Sequence, residues 1–163
     1  MMQNFRKLKK KSSMQRTLSG IKLHPAGQTW DESKPKHEKS LREIFEWADE
    51  NAKSILIHCE PQKCDIPTRF EKFFSEYKSA HVILAHSNPV KETAEMLNKY
   101  KNVFSDTACI SKEDLKLLRE KATDNSKILF GSDFPVSHYF ETHLFGKTHS
   151  LEKEYMQNCL NGL

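Results

Sequence analysis

Short apolar runs alternate along this chain with longer stretches in which apolar residues recur at every third or fourth position. The short runs occupy residues 20–24, 54–59, 81–86, 102–107 and 127–132. Continuous apolar runs of this kind are typical of strands that are buried on both faces of a parallel sheet. The alternation of five such strands with helices predicts an α/β fold with right-handed crossovers.

The clearest helix is predicted over residues 36–53, between the first two strands. Its apolar residues lie three or four positions apart and comprise Leu41, Ile44, Phe45, Ala48 and Ala52. This spacing places them on one face of an amphipathic helix that would pack on the sheet. Weaker patterns predict a helix over 2–17, a loop over 136–147 and a last helix over 151–160.

Three further helices are predicted from the residues at their starts. Asp65, an N-cap residue type, and Pro67 precede a stripe that we expect in the core: Phe70, Phe73, Phe74 and Tyr77. Pro89 precedes a second helical pattern. The segment from Ser111 to Asp114 resembles a capping box and precedes a third.

The chain has 163 residues, enough for one domain with a hydrophobic core. Six basic residues and no acidic ones fall within 1–16. We therefore predict a basic, weakly helical leader over 1–18 and a folded domain over 19–163. The net charge of +4 belongs to the leader, and the remainder is mildly acidic. Because no aromatic or glycine-rich binding pattern accompanies the leader, we expect no nucleic-acid binding.

No apolar run reaches the length of about 18 residues that a membrane span needs. The leader is also not followed by the apolar segment of a secretory signal. The four cysteines show neither a disulfide framework nor a CxxC motif. We therefore expect a cytoplasmic protein with free thiols and without membrane association.

Chemically active side chains stand where the predicted strands end. These positions hold Lys22, His24, His58, His86 and Asp133. Parallel α/β folds bind ligands at the carboxyl ends of their strands, where loops present the side chains. Imidazole and carboxylate groups suit zinc, iron or manganese. A metal ion held there would activate a water molecule, and a neighbouring Asp or His could take the proton.

In chain order, the strand ends read GIKLHP (20–25), ILIHCE (55–60), VILAHS (82–87), NVFSDTA (102–108) and ILFGSDFP (128–135). Together they resemble the amidohydrolase superfamily, and most closely the amidohydrolase-2 group of metal-dependent TIM-barrel hydrolases and decarboxylases. One such motif has low specificity, whereas five in family order at suitable spacing are specific. The resemblance extends from Gly20 to Pro135 and implies that these runs are strands 4 to 8 of a (β/α)8 barrel.

The resemblance implies a role for each polar strand end. His58, after barrel strand 5, would bind a divalent metal, with zinc as the first expectation and manganese or iron as alternatives. His86, after strand 6, would be a second-metal ligand or an acid–base histidine. Asp133, after strand 8, would bind metal and take the proton of the water. Lys22 lies on strand 4, where some branches place a carboxylated lysine that bridges two metals.

Other side chains leave more than one interpretation open. His24 either contacts substrate or satisfies a carbonyl group of its own loop. Lys22 either bridges metal or pairs with a buried carboxylate. Asp106 and His138 are candidate substrate-binding residues because both lie close to strand ends. Cys59 should face the opposite side of its strand, so we do not predict it to be a ligand.

The chain also departs from the family pattern. Family members begin with a His-x-His pair after strand 1 that supplies two metal ligands, and this sequence contains no His-x-His. Eight strands usually need about 250 residues. We therefore predict a partial TIM barrel, with five parallel strands that correspond to strands 4–8. Because an open sheet exposes its edges, we expect a homo-oligomer or a complementing N-terminal half-barrel as partner.

The predicted function is a metal-dependent hydrolase in which metal-activated water attacks a C–N, ester or lactone bond of a small molecule. Two alternatives stay open. One is non-oxidative decarboxylation in the same site, and the other is a non-catalytic half-barrel fragment that assembles with a partner. The activity of the isolated chain is also open, and the loops carry no pattern that identifies a substrate.

Overall fold

The computed structural model describes residues 18–31, 33–61 and 65–133. Its strands are β1 (Gly20–Leu23), β2 (Ser54–His58), β3 (His81–Ala85), β4 (Val103–Asp106) and β5 (Ile128–Leu129). Its α-helices are α1 (Pro35–Glu50), α2 (Glu71–Glu76), α3 (Val90–Lys99) and α4 (Lys112–Lys121), with short 3₁₀ turns at Pro67–Phe70 and Asn125–Lys127. The predicted helix over 2–17, the loop over 136–147 and the last helix lie outside the described residues.

The five strands form one parallel sheet in the order β1-β2-β3-β4-β5, which confirms the predicted alternation. Every crossover returns to the adjacent strand, as in a (β/α)8 barrel. The register aligns Ile55 of β2 with Val82 of β3, and Val82 with Val103 of β4. The carboxyl ends of the strands therefore meet at one edge of the sheet.

Each strand is shorter than its apolar run. β5 is the clearest case, because only Ile128 and Leu129 pair with β4, whereas the pattern predicts a strand over 127–132. Lys127 lies in the 3₁₀ turn before β5. Its buried ammonium group donates hydrogen bonds to two backbone carbonyl oxygens at the end of α3. Lys127 therefore precedes β5, which begins at Ile128.

The two faces of the sheet differ in burial. The helices cover the outer face, whose fully buried side chains include Ile55, Ile57, Val82, Leu84 and Val103. On the inner face, Leu56, Ile83 and Phe104 are half-buried and Lys22 is exposed. These inner residues do not belong to the core cluster that the helices and the outer face form. The expectation that both faces are buried is therefore met only on the outer face.

The predicted aromatic stripe packs in the core. Phe73 of α2 stacks on Phe45 of α1 with ring centroids 4.9 Å apart. Phe70 and Phe74 are buried beside them. Because burial of one phenylalanine side chain contributes about 1.5–3 kcal/mol, this cluster attaches α1 and α2 to each other and to the sheet.

The start of the segment that leads into α2 differs from the prediction. Asp65 is not an N-cap. The 3₁₀ turn Pro67–Phe70 precedes α2, and the N-cap residue of that turn is Ile66. The Asp65 carboxylate instead accepts the backbone N–H of Ala26 at 2.8 Å. Asp65 is completely buried, and it connects the loop after β2 to the loop after β1.

Ser111 caps α4 as predicted, since its hydroxyl group accepts the backbone N–H of Asp114 at 3.0 Å. α3 begins directly after Pro89, in agreement with the prediction. The longest helix, α1, has 16 residues. Within the described part of the chain, no helix combines the length and the apolar character needed to cross a bilayer.

Asn102, buried before β4, donates its side-chain N–H groups to the carbonyl oxygens of Phe74, Tyr77 and Ala80. We predict that Asn102→Ala lowers the free energy of unfolding by about 2–4 kcal/mol, because these carbonyl groups lose their donor. Asn51 is exposed and donates to one carbonyl group, so Asn51→Ala should cost about 1 kcal/mol or less. Urea unfolding measures both values, and equal losses would contradict the prediction.

Candidate metal centre at the strand ends

The parallel register brings the predicted site residues to one rim of the sheet. His24 follows β1, His58 ends β2, His86 follows β3, Asp106 ends β4 and Asp133 follows β5. Each residue comes from a different strand, so the site exists only in the folded chain. This is the rim at which parallel α/β proteins bind their ligands.

Backbone strain is concentrated at the same rim. Four non-glycine residues there have positive φ angles: His86 (69°), Ser87 (49°), Cys109 (57°) and Asp133 (47°). The left-handed region costs an L-residue roughly 1–2 kcal/mol. Surrounding contacts have to offset this cost, and strained residues of this kind cluster at functional sites.

Three histidine rings form a row along the rim. His24 stacks on His58, with ring centroids 3.9 Å apart and an interplanar angle of 17°. His58 meets His86 edge to face, with centroids 4.7 Å apart. His58 Nδ1 and His86 Nε2 are separated by 3.0 Å. The two histidines that the motifs place on one rim are thus in direct contact.

The other nitrogen of each ring in this pair faces a group that only accepts hydrogen bonds. His86 Nδ1 lies 3.1 Å from the carbonyl oxygen of Ala108, and His58 Nε2 lies 3.1 Å from Glu60 Oε1. These contacts favour the tautomers with hydrogen on His86 Nδ1 and His58 Nε2. If the rings are neutral, the lone pairs of His58 Nδ1 and His86 Nε2 face each other. This arrangement requires a shared proton or a metal ion.

The surroundings of His58 favour its neutral form. Burial lowers the pKa of His58, the adjacent rings of His24 and His86 lower it further, and Glu60 opposes them. The ring is therefore mainly neutral near pH 7. A neutral imidazole is the form that binds a metal ion.

A second group of ligand-type side chains adjoins His86. The ligand atoms of His86, Cys109 and Asp133 all lie within 4.8 Å of one another. The Cys109 thiol donates to Asp133 Oδ2 at 3.7 Å. Asp133 is thus connected to the histidine pair through His86. Cys109 was not predicted as a site residue, because it lies in an exposed turn that strand periodicity does not cover.

A cavity of about 280 Å³ opens beside these residues. Its charged and titratable lining consists of Lys22, His86, Asp106 and Asp133. Apolar side chains from the inner face of the sheet complete the wall. Because a small-molecule site combines apolar walls with a few convergent polar groups, this cavity is the candidate substrate site.

Asp106 holds the loop that carries His86. Its Oδ1 accepts the backbone N–H of His86 at 2.8 Å and that of Ala108 at 3.1 Å, and its carbonyl oxygen accepts the Ser87 hydroxyl. Burial raises the pKa of Asp106, and the two N–H groups oppose that rise. Gly131 packs so closely that an added Cβ would lie 2.7 Å from Asp106 Cγ. This predicted substrate-binding residue is therefore also a support for His86.

The structure places the remaining candidates as follows. His24 is exposed, and its Nδ1 accepts the backbone N–H of Gly27 at 3.0 Å, so its loop partner is an amide rather than the carbonyl group that we considered. Cys59 is completely buried, as expected for the opposite side of its strand. Burial raises the pKa of the Cys59 thiol far above its ordinary value. His138 lies outside the described residues.

Glu60 and Asp65 are site residues that our sequence interpretation missed. Glu60 stands two positions after His58, the spacing that places two side chains on one side of an extended segment, so the sequence does carry a signal for it. Asp65 has no comparable signal. Its position depends on the packing of the loop after β2 against the loop after β1.

The donor types at the rim suit a divalent metal ion, although Asp133 is grouped with His86 and Cys109 rather than with His58. His58 and His86 each present one nitrogen while the opposite nitrogen faces a carboxylate or carbonyl oxygen, as is usual for metal-binding histidines. Asp133 adds a carboxylate close to His86. Two imidazoles and a carboxylate suit zinc, and manganese or iron also accept such ligands.

Comparison with known proteins identifies the family. Residues 10–155 match the Amidohydrolase family. The chain therefore belongs to the amidohydrolase superfamily, which confirms what its strand-end motifs predict. No curated protein matches the chain at a significant level.

Three solved structures share the fold. An uncharacterized TIM-barrel protein from Bordetella bronchiseptica has a TM-score of 0.65 at 13% identity, covering 98% of this chain and 60% of its own. Amidohydrolase 2 from Bifidobacterium longum subsp. infantis has a TM-score of 0.50 at 15% identity, covering 78% and 54%. 2,6-Dihydroxybenzoate decarboxylase, solved with 2,6-dihydroxybenzoate, has a TM-score of 0.55 at 11% identity, covering 98% and 65%. The chain thus has the fold of part of a TIM barrel and spans less than two thirds of each of these proteins.

We predict that Asp106→Ala lowers the free energy of unfolding by about 2–4 kcal/mol, because two backbone N–H groups lose their acceptor. Asp106→Asn keeps a side-chain oxygen at that position and should cost about 1 kcal/mol or less. Urea unfolding measures stability, and hydrogen exchange at the His86 and Ala108 amides measures loop protection. Equal losses in both variants would show that the carboxylate charge, rather than its acceptor geometry, supports the loop.

Proposed function

We propose that this chain carries the site of a metal-dependent hydrolase of amidohydrolase type, in which an activated water attacks a C–N, ester or lactone bond. The observation that supports this most directly is the 3.0 Å separation of His58 Nδ1 and His86 Nε2, with the opposite nitrogens facing Glu60 and the Ala108 carbonyl oxygen. Two lone pairs converge there, as in a pair of metal ligands. Membership of the amidohydrolase superfamily agrees with this proposal.

His58, His86 and Asp133 would hold a divalent metal, with zinc as the first choice. Such an ion, when bound, lowers the pKa of a water molecule toward about 7 and polarises a carbonyl group. Lys22 would join the ligands only if its amine is carboxylated, because an ammonium group has no lone pair. As an ammonium group, it would instead attract the anionic part of a substrate in the cavity.

The side chains of the cavity would perform the proton transfers. Asp133 lines the cavity and is exposed, so its carboxylate can take the proton of the attacking water and return it to the leaving group. His86 is either a metal ligand, as above, or the acid–base histidine. In the second case its ring, on the loop held by Asp106, would not bind the metal and would instead polarise or protonate the substrate oxygen. We propose Asp106, which lines the cavity, and His24, which stacks on His58, as substrate contacts.

Non-oxidative decarboxylation in the same site is the second candidate function. Leu56, Ile83 and Leu129 line the cavity beside its polar groups, and an apolar wall favours the loss of a carboxylate as neutral carbon dioxide. One protein with a similar fold is a decarboxylase that acts on 2,6-dihydroxybenzoate. The likeness between the two proteins is one of fold. Release of carbon dioxide is the measurement that tests decarboxylation by this chain.

We also propose that another polypeptide completes the barrel, either a second copy of this chain or a separately encoded half. In the described part, β1 and β5 each pair with one neighbouring strand only. The inner face is half-buried, and unpaired strand edges readily accept further strands. We predict a particle mass above the 19.0 kDa of one chain, measured by size-exclusion chromatography with light scattering. A single species at the monomer mass would contradict the second-copy form of this proposal.

For the site itself, we predict that His58→Ala abolishes zinc retention after dialysis, because the central ligand is lost. Asp133→Asn should lower the hydrolysis rate of p-nitrophenyl acetate by about 10²–10⁴-fold through loss of the base. Mass spectrometry of bound zinc and absorbance of released nitrophenol measure the two effects.

His81→Ala is the matched control, because His81 lies at the amino end of β3, away from the rim. It should keep wild-type zinc content and rate. Zinc content unchanged in both His58→Ala and Asp133→Asn would contradict the proposed site. Release of carbon dioxide from 2,6-dihydroxybenzoate, without activity on ester, amide or lactone probes, would favour the second candidate function.

A further inference from the structure

A second set of ligand-type side chains lies on the other side of His58. The ligand atoms of His24, His58 and Asp65 all lie within 4.8 Å of one another. These residues come from the loop after β1, the end of β2 and the loop after β2. Of the metal ligands proposed above, His58, His86 and Asp133, this set includes only His58.

Asp65 gives the reason to expect a cation at this place. Its side chain is 0% exposed. One carboxylate oxygen accepts the Ala26 N–H, whereas the other, Oδ2, has no hydrogen-bond donor among the described residues. A buried carboxylate oxygen without a hydrogen-bond donor destabilises the folded state, and a bound cation would offset that cost.

We propose that His24, His58 and Asp65 form a divalent-cation site, and that zinc is its ion, because two imidazoles and a carboxylate are zinc ligands. The inference depends on the proposed function in so far as both use His58. A neutral imidazole offers one lone pair, so His58 serves only one of the two sets at a time. The two sets therefore compete for one zinc ion per chain, and zinc bound with His24 and Asp65 withdraws His58 from His86 and Asp133.

Zinc binding at this site changes the hydrogen bonding of His24. In the structure, Gly27 donates its N–H to His24 Nδ1 at 3.0 Å, which places the ring proton on Nε2. A ligand nitrogen must have a free lone pair. Zinc at Nδ1 displaces the Gly27 N–H, and zinc at Nε2 moves the ring proton to Nδ1. Both cases remove this hydrogen bond, so the Gly27 amide reports on occupancy of the site without an activity assay.

The test is a calorimetric titration of the full chain with zinc alone. We expect His24→Gln and Asp65→Asn each to weaken zinc binding at least about tenfold. The Asp65→Asn side chain keeps an oxygen for the Ala26 N–H, so the loop contact survives. His81→Gln is the matched control and should bind zinc like the wild type. In the wild type, one equivalent of zinc should shift the amide resonance of Gly27.

The same titration of His86→Gln and Asp133→Asn separates this site from the proposed catalytic set. Weaker binding in His24→Gln and Asp65→Asn supports the inference, whatever the other pair shows. Loss confined to His86→Gln and Asp133→Asn overturns it and leaves the catalytic proposal in place. Wild-type affinity in all four variants overturns both proposals. Circular dichroism shows whether Asp65→Asn folds. If it does not, the zinc affinity of His24→Gln and the Gly27 amide resonance test the inference. A Gly27 resonance that zinc does not shift overturns the inference.

Discussion

The common register of the parallel strands is the constraint on which the site depends. Adjacent strands pair residue for residue, from Ser54 opposite His81 to His58 opposite Ala85. A shift of one residue would turn His58 to the other face of β2, because side chains alternate along a strand. The outer face is packed by the helices with fully buried residues such as Ile55 and Ile57. Packing on the outer face therefore fixes which side chains reach the rim.

Beyond the last paired residue of β3, strand pairing no longer fixes the backbone conformation. Hydrogen bonds to Asp106 fix it there instead. His86 and Ser87 have left-handed φ angles, which the backbone adopts only when surrounding contacts offset the strain. Asp106 accepts the His86 N–H through its carboxylate and the Ser87 hydroxyl through its carbonyl oxygen. Gly131 leaves the space that this carboxylate fills. One buried acid thus converts the regular end of β3 into a loop that directs the His86 ring at His58.

The features predicted from sequence are those that local pattern determines. The alternation of strands and helices, the aromatic stripe around Phe73 and the Ser111 cap each depend on residues close together in the chain, and the structure contains all three. The misassigned features depend on contacts between distant segments. Asp65 has the residue type of an N-cap, yet the loop after β1 uses its carboxylate. Cys109 reaches Asp133 because two loops meet at the rim, and neither its spacing nor its neighbours indicate this.

The two proposals place His58 between two groups of ligand-type side chains from the chain's own loops. The sequence has no His-x-His pair, so in both proposals the ligands beside His58 are taken from the rim of the described strands. That rim offers His86 and Asp133 on one side and His24 and Asp65 on the other. The two sides differ in electrostatics. Asp133 is exposed to solvent, whereas Asp65 is buried and one of its carboxylate oxygens has no hydrogen-bond donor among the described residues. A cation therefore gains more from neutralising the Asp65 carboxylate, while chemistry on a substrate requires the exposed side. In these proposals, tight cation binding and access to substrate thus favour opposite sides of the His58 ring.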